Sequence, residues 1–250
     1  MLISDESIRI VHLVAKYQSI TTAADQLNKV PSAISYTVKK LEESLGVAPE
    51  AFNRALKVAE TEIFERLGFD NSAIHNRQIR YQRAMEILGL PIYPHTVTLY
   101  NLYWDTMIGC AEPEPGLLAF ITRLKEKGVY IGIATDMTTD IQWRKLAHLG
   151  IAPLVDGFVA SETAGVEKPG RRIYDLCRAS AGCEPEECLV IGDNPDKDMA
   201  GARGAGMEEA WYCRYCTAGH REGIRMLHSF EDCLQGDKIV VGDLEIRSVE

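Results

Sequence analysis

The chain has 250 residues, 46% of them apolar, and a formal net charge of −9, which is enough for one large domain or two small ones with a sizeable core. No run nears the roughly 18 apolar residues of a membrane-spanning helix, since Ile8 to Ala15 is broken by Arg9 and His12; no membrane partner is expected, and the expected location is cytoplasmic. The acidic balance disfavours nonspecific attraction to polyphosphates, but residues 1–47 carry five Lys/Arg and five Asp/Glu, so the whole net negative charge falls on the remainder.

Residues 1–47 read as three helices. Ser4 or Asp5 can cap the first, where Ile8, Val11 and Ala15 share a face. Thr21 and Thr22 can cap the second, with Ala23, Ala24 and Leu27 facing inward. Pro31 and Ser32 open a third, in which Ile34, Val38, Leu41 and Leu45 recur at helical spacing until Gly46 stops it. Its opposite face presents Ser35, Tyr36, Lys39 and Lys40. Such a face suits a DNA major groove, with short polar groups on base edges and cations on phosphates; an ordinary three-helix bundle is the plainer alternative. The stretches Ser-Ile-Thr-Thr-Ala-Ala-Asp-Gln-Leu and Pro-Ser-Ala-Ile-Ser-Tyr-Thr-Val-Lys-Lys-Leu resemble the helix-turn-helix of LysR-type transcriptional regulators. That resemblance implies double-stranded DNA as a partner and Ser32, Ser35, Tyr36 and Lys39 as contacts. The basic wing and long dimerising helix of those regulators do not follow, so binding is expected to be weak and salt-sensitive.

Pro49 opens a further helix, and residues 48–111 form a helical segment. Phe52, Leu56, Ala59, Ile63 and Leu67 give one stripe; Ile79, Arg83 and Ile87, with Tyr81, Met85 and Leu88, suggest another. Glu112-Pro-Glu-Pro-Gly116 is a stiff connector. Beyond it, from 112 to 235, strands alternate with helices: Val129 to Ala134, Gly157 to Ala160 and Leu189 to Ile191 are short apolar runs, and Leu117 to Lys127 and Ile141 to Leu149 lie between them as helices. This grammar predicts an α/β fold with a parallel sheet and crossover helices. The tail, 236–250, reads as a β-hairpin turning at Gly242-Asp243.

Seven cysteines, at 110, 177, 183, 188, 213, 216 and 233, show no framework spacing and suit a reducing compartment. Cys213-Arg-Tyr-Cys216 with His220 offers three zinc-binding side chains, but without a second close pair a strand end followed by a loop is the simpler reading.

At the ends of the expected parallel strands stand Thr135, Lys168 and the pair Asp193 with Asp198. Strand C-termini of a parallel sheet face one crevice, so these groups are expected to meet there. A hydroxyl and an ammonium suit phosphate oxygens, and a carboxylate pair suits Mg2+. Taken singly, each has a structural reading: a helix cap, a solvated lysine, a turn aspartate.

The ordered set resembles the haloacid dehalogenase (HAD)-like superfamily of phosphohydrolases, through Ile131-Gly-Ile-Ala-Thr-Asp-Met-Thr138, Glu167-Lys-Pro-Gly-Arg-Arg-Ile-Tyr174 and Ile191-Gly-Asp-Asn-Pro-Asp-Lys-Asp198. The resemblance implies a Rossmann-like three-layer core with a helical cap acting on a small phosphorylated metabolite. It implies that Thr135 holds the phosphoryl group, Lys168 neutralises it, Asp193 binds magnesium and Asp198 orders the site. Asp136 stands where that family more often has Asn. The resemblance breaks at the first motif, an apolar strand ending in Asp-x-Asp whose first Asp attacks phosphorus and whose second is acid and base. No apolar run of this chain ends that way. Two stand-ins deserve naming: Asp5 after Leu2-Ile3-Ser4, better read as a cap, and Asp243 with Glu245 after Ile239-Val-Val-Gly, better read as a hairpin.

Two functions follow. The first is a HAD-like phosphatase fold acting on or binding a phosphorylated metabolite, impaired by loss of its nucleophile and fused to a DNA-binding segment. The second is a transcriptional regulator that senses such a metabolite through Thr135 and Lys168.

Overall fold

The computed structural model describes residues 46–68, 71–214 and 224–248. The expected helix-turn-helix with Ser32, Ser35, Tyr36 and Lys39 lies outside them, as do Asp5, Cys216 and His220. The described residues form two units, a helical one that ends at Ala111 and an α/β one made of the residues from Glu112 onward together with the short stretch up to Ala73.

The helical unit has three main helices, α1 (Pro49–Leu67), α2 (Arg77–Leu88) and α3 (His95–Gly109). Pro49 sits in the first turn of α1, where its missing N–H would have no partner anyway. Ala55, Ala59 and Ile63 are buried, so the expected stripe is present with Ala55 added to it. Helix α2 starts at Asn76, whose side chain accepts the Gln78 N–H at 2.9 Å, and stops at Gly89 in the left-handed region. Of its two candidate stripes, the one through Tyr81 and Met85 is buried, while Ile87 stays exposed. Salt bridges Arg80–Glu60 and Arg83–Glu62, both 2.5 Å, tie α2 to α1.

In the α/β unit, α4 (Leu117–Glu126) leads to β1 (Gly132–Thr135), then α5 (Thr139–His148), β2 (Gly157–Ala160) and the short α6 (Ser161–Ala164). Helix α7 (Arg171–Ala181) leads to β3 (Leu189–Gly192), a π-type turn at Pro195–Met199, α8 (Ala200–Ala205), β4 (Glu208–Tyr212) and β5 (Arg225–Leu227). Strand β1 starts three residues later than the sequence suggests. The Val129 N–H closes the turn out of α4 onto the Leu124 carbonyl, and the Ile131 N–H is taken by the Asp156 carboxylate at 2.9 Å, so the ladder begins at Gly132.

The last stretch is a three-stranded antiparallel sheet, β6 (Leu234–Gln235), β7 (Lys238–Val241) and β8 (Leu244–Ile246). Its β7–β8 turn is Gly242-Asp243, with Gly242 at φ 62°, the conformation a tight hairpin asks of glycine. Ile239 and Val241 are fully buried and join Phe120, Leu124 and Ala210 in one core cluster.

The parallel strands form two sheets rather than one: β1 pairs with β2, and β3 pairs with β4, which pairs with β5. Among the described residues no strand bridges them. Every residue of β3 is only half-buried, as are Ile133, Ala134 and Thr135 of β1. Strands inside an all-parallel sheet are normally covered on both faces, and these two are less covered than that. What joins the halves is packing: Ile173, Tyr174, Ala202 and Ala205 of α7 and α8 cover Val159 and Ala134 on one side and Val190 on the other.

Candidate functional site

The register of each sheet fixes which residues leave it together. Thr135 pairs with Ala160 at the end of β1–β2, and Gly192 pairs with Trp211 near the end of β3–β4. Thr135, Asp136 and Met137 therefore leave β1 beside Ser161 after β2, and Asp193 follows β3.

After β3 the chain must turn sharply. Asn194 does this by accepting the N–H groups of Asp196 and Lys197 on its side-chain oxygen, at 3.0 and 3.1 Å. The turn brings Asp198 back beneath β3, so close to Gly192 that a Cβ there would lie 2.5 Å from the Asp198 carboxylate carbon. Asp198 is 5% exposed. One of its oxygens accepts the Asn194 N–H at 3.0 Å and the other meets Lys168 Nζ at 2.6 Å. A buried carboxylate needs such compensation.

Lys168 is held twice, because its own N–H donates to Asp136 Oδ1 at 2.8 Å. Asp136 Oδ2 in turn meets Lys197 Nζ at 2.7 Å, and Lys197 also lies 3.9 Å from Glu167 Oε2. The Asp136 carboxylate holds the Lys197 ammonium above the ordinary lysine range. Behind this layer the Ser161 hydroxyl donates to buried Glu167 Oε1 at 2.5 Å and accepts the Met137 N–H at 3.0 Å. Met137 has φ 95°, a region disfavoured for a side chain of its kind and occupied here at the mouth of the crevice. The Thr135 hydroxyl donates to the Asp136 carbonyl at 3.1 Å and accepts a short hydrogen bond from Gln142 Nε2.

Of the four residues expected from sequence, Lys168 and Asp198 are in direct contact, and Thr135 adjoins Asp136, which binds the Lys168 backbone. Asp193 is exposed at the end of β3, its carbonyl accepting the Trp211 indole N–H at 3.1 Å. Sequence reasoning missed Lys197, Glu167 and Ser161. Asp136 had drawn notice only as a departure from the family's usual Asn.

Asp193 and Asp198 are the pair expected to hold magnesium; the Asp198 oxygens here meet Lys168 and the Asn194 N–H. Among the described residues no three His, Cys, Asp or Glu side chains gather as a metal site. Asp193 is an exposed carboxylate at the end of β3. That suits a magnesium ion that keeps most of its waters and takes other oxygens from a phosphate, not an ion caged by protein alone.

The stand-in carboxylates of the tail are also accounted for. Asp243 lies in the hairpin turn, bonded to Arg225 Nε at 2.6 Å, and Glu245 pairs with Lys238 at 3.1 Å. Neither sits at the end of a parallel strand. The chain's one Asp-x-Asp, Asp196-Lys-Asp198, belongs to the turn after β3, with Asp198 committed as described. Cys213, weighed as a zinc ligand, is disulfide-bonded, which removes its thiolate. Among the described residues no helix is long and apolar enough to cross a membrane.

Comparison with known proteins places this arrangement. The family model described as haloacid dehalogenase-like hydrolase matches residues 13–206, running through most of the stretch that resembles a LysR-type helix-turn-helix. No comparison supports that second resemblance. The chain is 31% identical over 160 residues to a ribulose-1,5-bisphosphate 5-phosphatase of Halopiger xanaduensis, covering 64% of this chain and 66% of that enzyme. It is 38% identical over 105 residues to a glyceraldehyde 3-phosphate phosphatase of Methanopyrus kandleri, covering 42% and 45% of the two chains. The matches thus span about half to two thirds of these relatives. Among solved structures, a HAD phosphatase from Thermococcus onnurineus superposes with a TM-score of 0.56 at 18% identity, covering 92% of this chain and 90% of that one. A 2-haloacid dehalogenase from Pseudomonas syringae gives 0.58 at 17% identity, covering 72% and 77%. At such identities these two likenesses speak to fold alone. With the family model matching well over half its length, the chain belongs to the haloacid dehalogenase-like hydrolases.

Proposed function

We propose that the chain binds the phosphoryl group of a small phosphorylated metabolite, of the short sugar-phosphate class, through Thr135, Lys168 and Asp193, and that it hydrolyses that group slowly. The observation that carries this is Lys168: an ammonium with 15% exposed side chain, held at 2.6 Å by Asp198 and fixed through its backbone to the end of β1. A fixed cation at the mouth of a parallel-strand crevice is a preorganised electrostatic anchor for a dianion. The Thr135 hydroxyl, which now donates to a neighbouring carbonyl, can turn its hydrogen to a phosphoryl oxygen. Asp193 would receive magnesium arriving with the phosphate, and that ion would supply charge neutralisation. The substrate class is taken from the relatives, whose names specify ribulose bisphosphate and glyceraldehyde phosphate.

Slow turnover is inferred from the missing apolar strand ending in Asp-x-Asp and from the two inner sheet edges left without a partner among the described residues. Binding without an attacking carboxylate leaves electrostatic stabilisation with little chemistry to assist. The test is magnesium-dependent release of phosphate from glyceraldehyde 3-phosphate and from an aryl phosphate, with vanadate binding measured alongside by calorimetry. Binding that needs Lys168, together with barely detectable turnover, is expected. Vigorous turnover abolished by Asp193→Ala would show that this site hydrolyses competently and would overturn the impairment; absence of any vanadate binding would overturn the reading itself.

A further inference from the structure

Asp136 and Lys197 lie 61 positions apart, on opposite sides of the divide between the two parallel sheets. Asp136 closes β1; Lys197 belongs to the turn after β3. Both oxygens of Asp136 are used, one on the Lys168 N–H and one on the Lys197 ammonium. Lys168 then reaches Asp198, the residue after Lys197, at 2.6 Å. The links make a closed ring: Asp136 to the Lys168 backbone, the Lys168 ammonium to Asp198, and adjacent Lys197 back to Asp136. No backbone ladder joins β1 to β3 among the described residues, and this ring links the C-terminal ends of the two sheets across that divide.

Asparagine at 136 could still accept the Lys168 N–H, but it would meet Lys197 with no charge and, on its other side, an NH2 donor. An aspartate here requires a cation opposite, and Lys197 is that cation. We propose that Asp136 and Lys197 are a positioning pair: they do not touch the phosphoryl group but set where Lys168 stands to receive it. The inference rests on the phosphoryl-binding role of Lys168 argued above.

The experiment uses the full chain with orthovanadate as probe, measuring affinity by calorimetry for the wild type, Asp136→Asn, Lys197→Met, the double variant and Lys197→Arg, with thermal melts of each. Each single loss is expected to weaken vanadate binding about three- to tenfold, a range set by the half-exposed lysine and by typical coupling between contacting residues. The double variant should be no weaker than the worse single, and Lys197→Arg should lie within about twofold of wild type, with melts little changed.

If Asp136→Asn tightens binding while Lys197→Met weakens it, Lys197 is itself an anion ligand quenched by Asp136, and the positioning role is wrong. Additive losses, or none, overturn it as well. Losses that appear only together with a collapsed melt, and that arginine does not restore, reduce the pair to fold maintenance and also overturn it. If the wild type binds no vanadate, the phosphoryl-binding reading falls and takes this inference with it; wild-type binding with indifferent variants removes the pair alone.

Discussion

Helix α8 contains two glycines three positions apart, and replacing each with alanine should move stability in opposite directions. A Cβ on Gly204 meets nothing within 4 Å, and the residue is exposed. Gly204→Ala should therefore gain helix propensity and lose unfolded-state entropy, stabilising by about 0.5–1 kcal/mol. A Cβ on Gly201 would fall inside the ring and hydroxyl of Tyr174. Tyr174 is 1% exposed, and its hydroxyl donates to the Lys197 carbonyl at 3.0 Å. The ring cannot swing into solvent, so Gly201→Ala should cost about 1–3 kcal/mol in overpacking and put at risk a hydrogen bond worth about 1 kcal/mol. The same propensity gain offsets part of this, leaving the two variants about 2–4 kcal/mol apart. Urea unfolding followed by far-ultraviolet circular dichroism reads the difference directly, and melting temperatures should separate by about 2–4 °C per kcal/mol. Equal midpoints for the two variants would refute the packing account. Because Tyr174 holds the carbonyl of Lys197, Gly201→Ala should also weaken vanadate binding, whereas Gly204→Ala should not.

Asp156 accepts the Ile131 N–H and pairs with Lys125, and these contacts, the backbone bond first, hold its carboxyl below the usual aspartate range. A depressed folded-state pKa means stability present above the unfolded aspartate value and lost as pH falls through the folded one. Acid melts of Asp156→Asn should therefore lie below wild type at neutral pH and converge with it at the acid end; parallel curves would rule this contribution out. Cys183 and Cys188 hold their sulfurs 3.2 Å apart, and burial, then the Cys183 neighbour, push the Cys188 thiol up to about 12. At about pH 8 the Cys188 thiolate is scarce, so alkylation by iodoacetamide, mapped by mass spectrometry, should be much slower there than at exposed Cys110. Equal rates would show that this thiol is not so shielded.

The elements that the sequence disclosed are those whose local pattern and tertiary role agree. Gly157–Ala160 is apolar, short and flanked by turns, and it is β2 to the residue. The tail hairpin was legible from Gly242-Asp243, although its third strand, β6, is two residues long and carries no pattern of its own. Strand β4 escaped notice because it opens with Glu208 and Glu209, which contradict a buried parallel strand until their partners are known: Arg225 for the first, and Arg203 at 2.5 Å for the second. At the site, motif spacing identified Lys168 and Asp198 but not that they face each other, since a pair 30 positions apart has no local signature. Lys197 has no local signature either, since its partner Asp136 lies 61 positions away. The signal available was the departure at Asp136, because a carboxylate placed where a neutral amide is usual must find a cation.

That exchange bears on how a sheet in two pieces can present one crevice. In a continuous parallel sheet, hydrogen-bond ladders fix neighbouring strand ends to a fraction of an ångström, and side chains projecting from them inherit that precision. Among the described residues the ladders run within each half, and α7 and α8 pack against both halves through apolar contacts. Apolar packing is nearly non-directional and tolerates small sliding. Among the described residues, directional contacts at the C-terminal edge include the Lys168–Asp198 and Lys197–Asp136 pairs with the backbone bond to Asp136. The first is well shielded, with side-chain exposures of 15% and 8%; the second leaves Lys197 41% exposed and open to screening by salt. The Lys168–Asp198 link is thus the firmer of the two, and the Lys197–Asp136 link the one more readily loosened by salt.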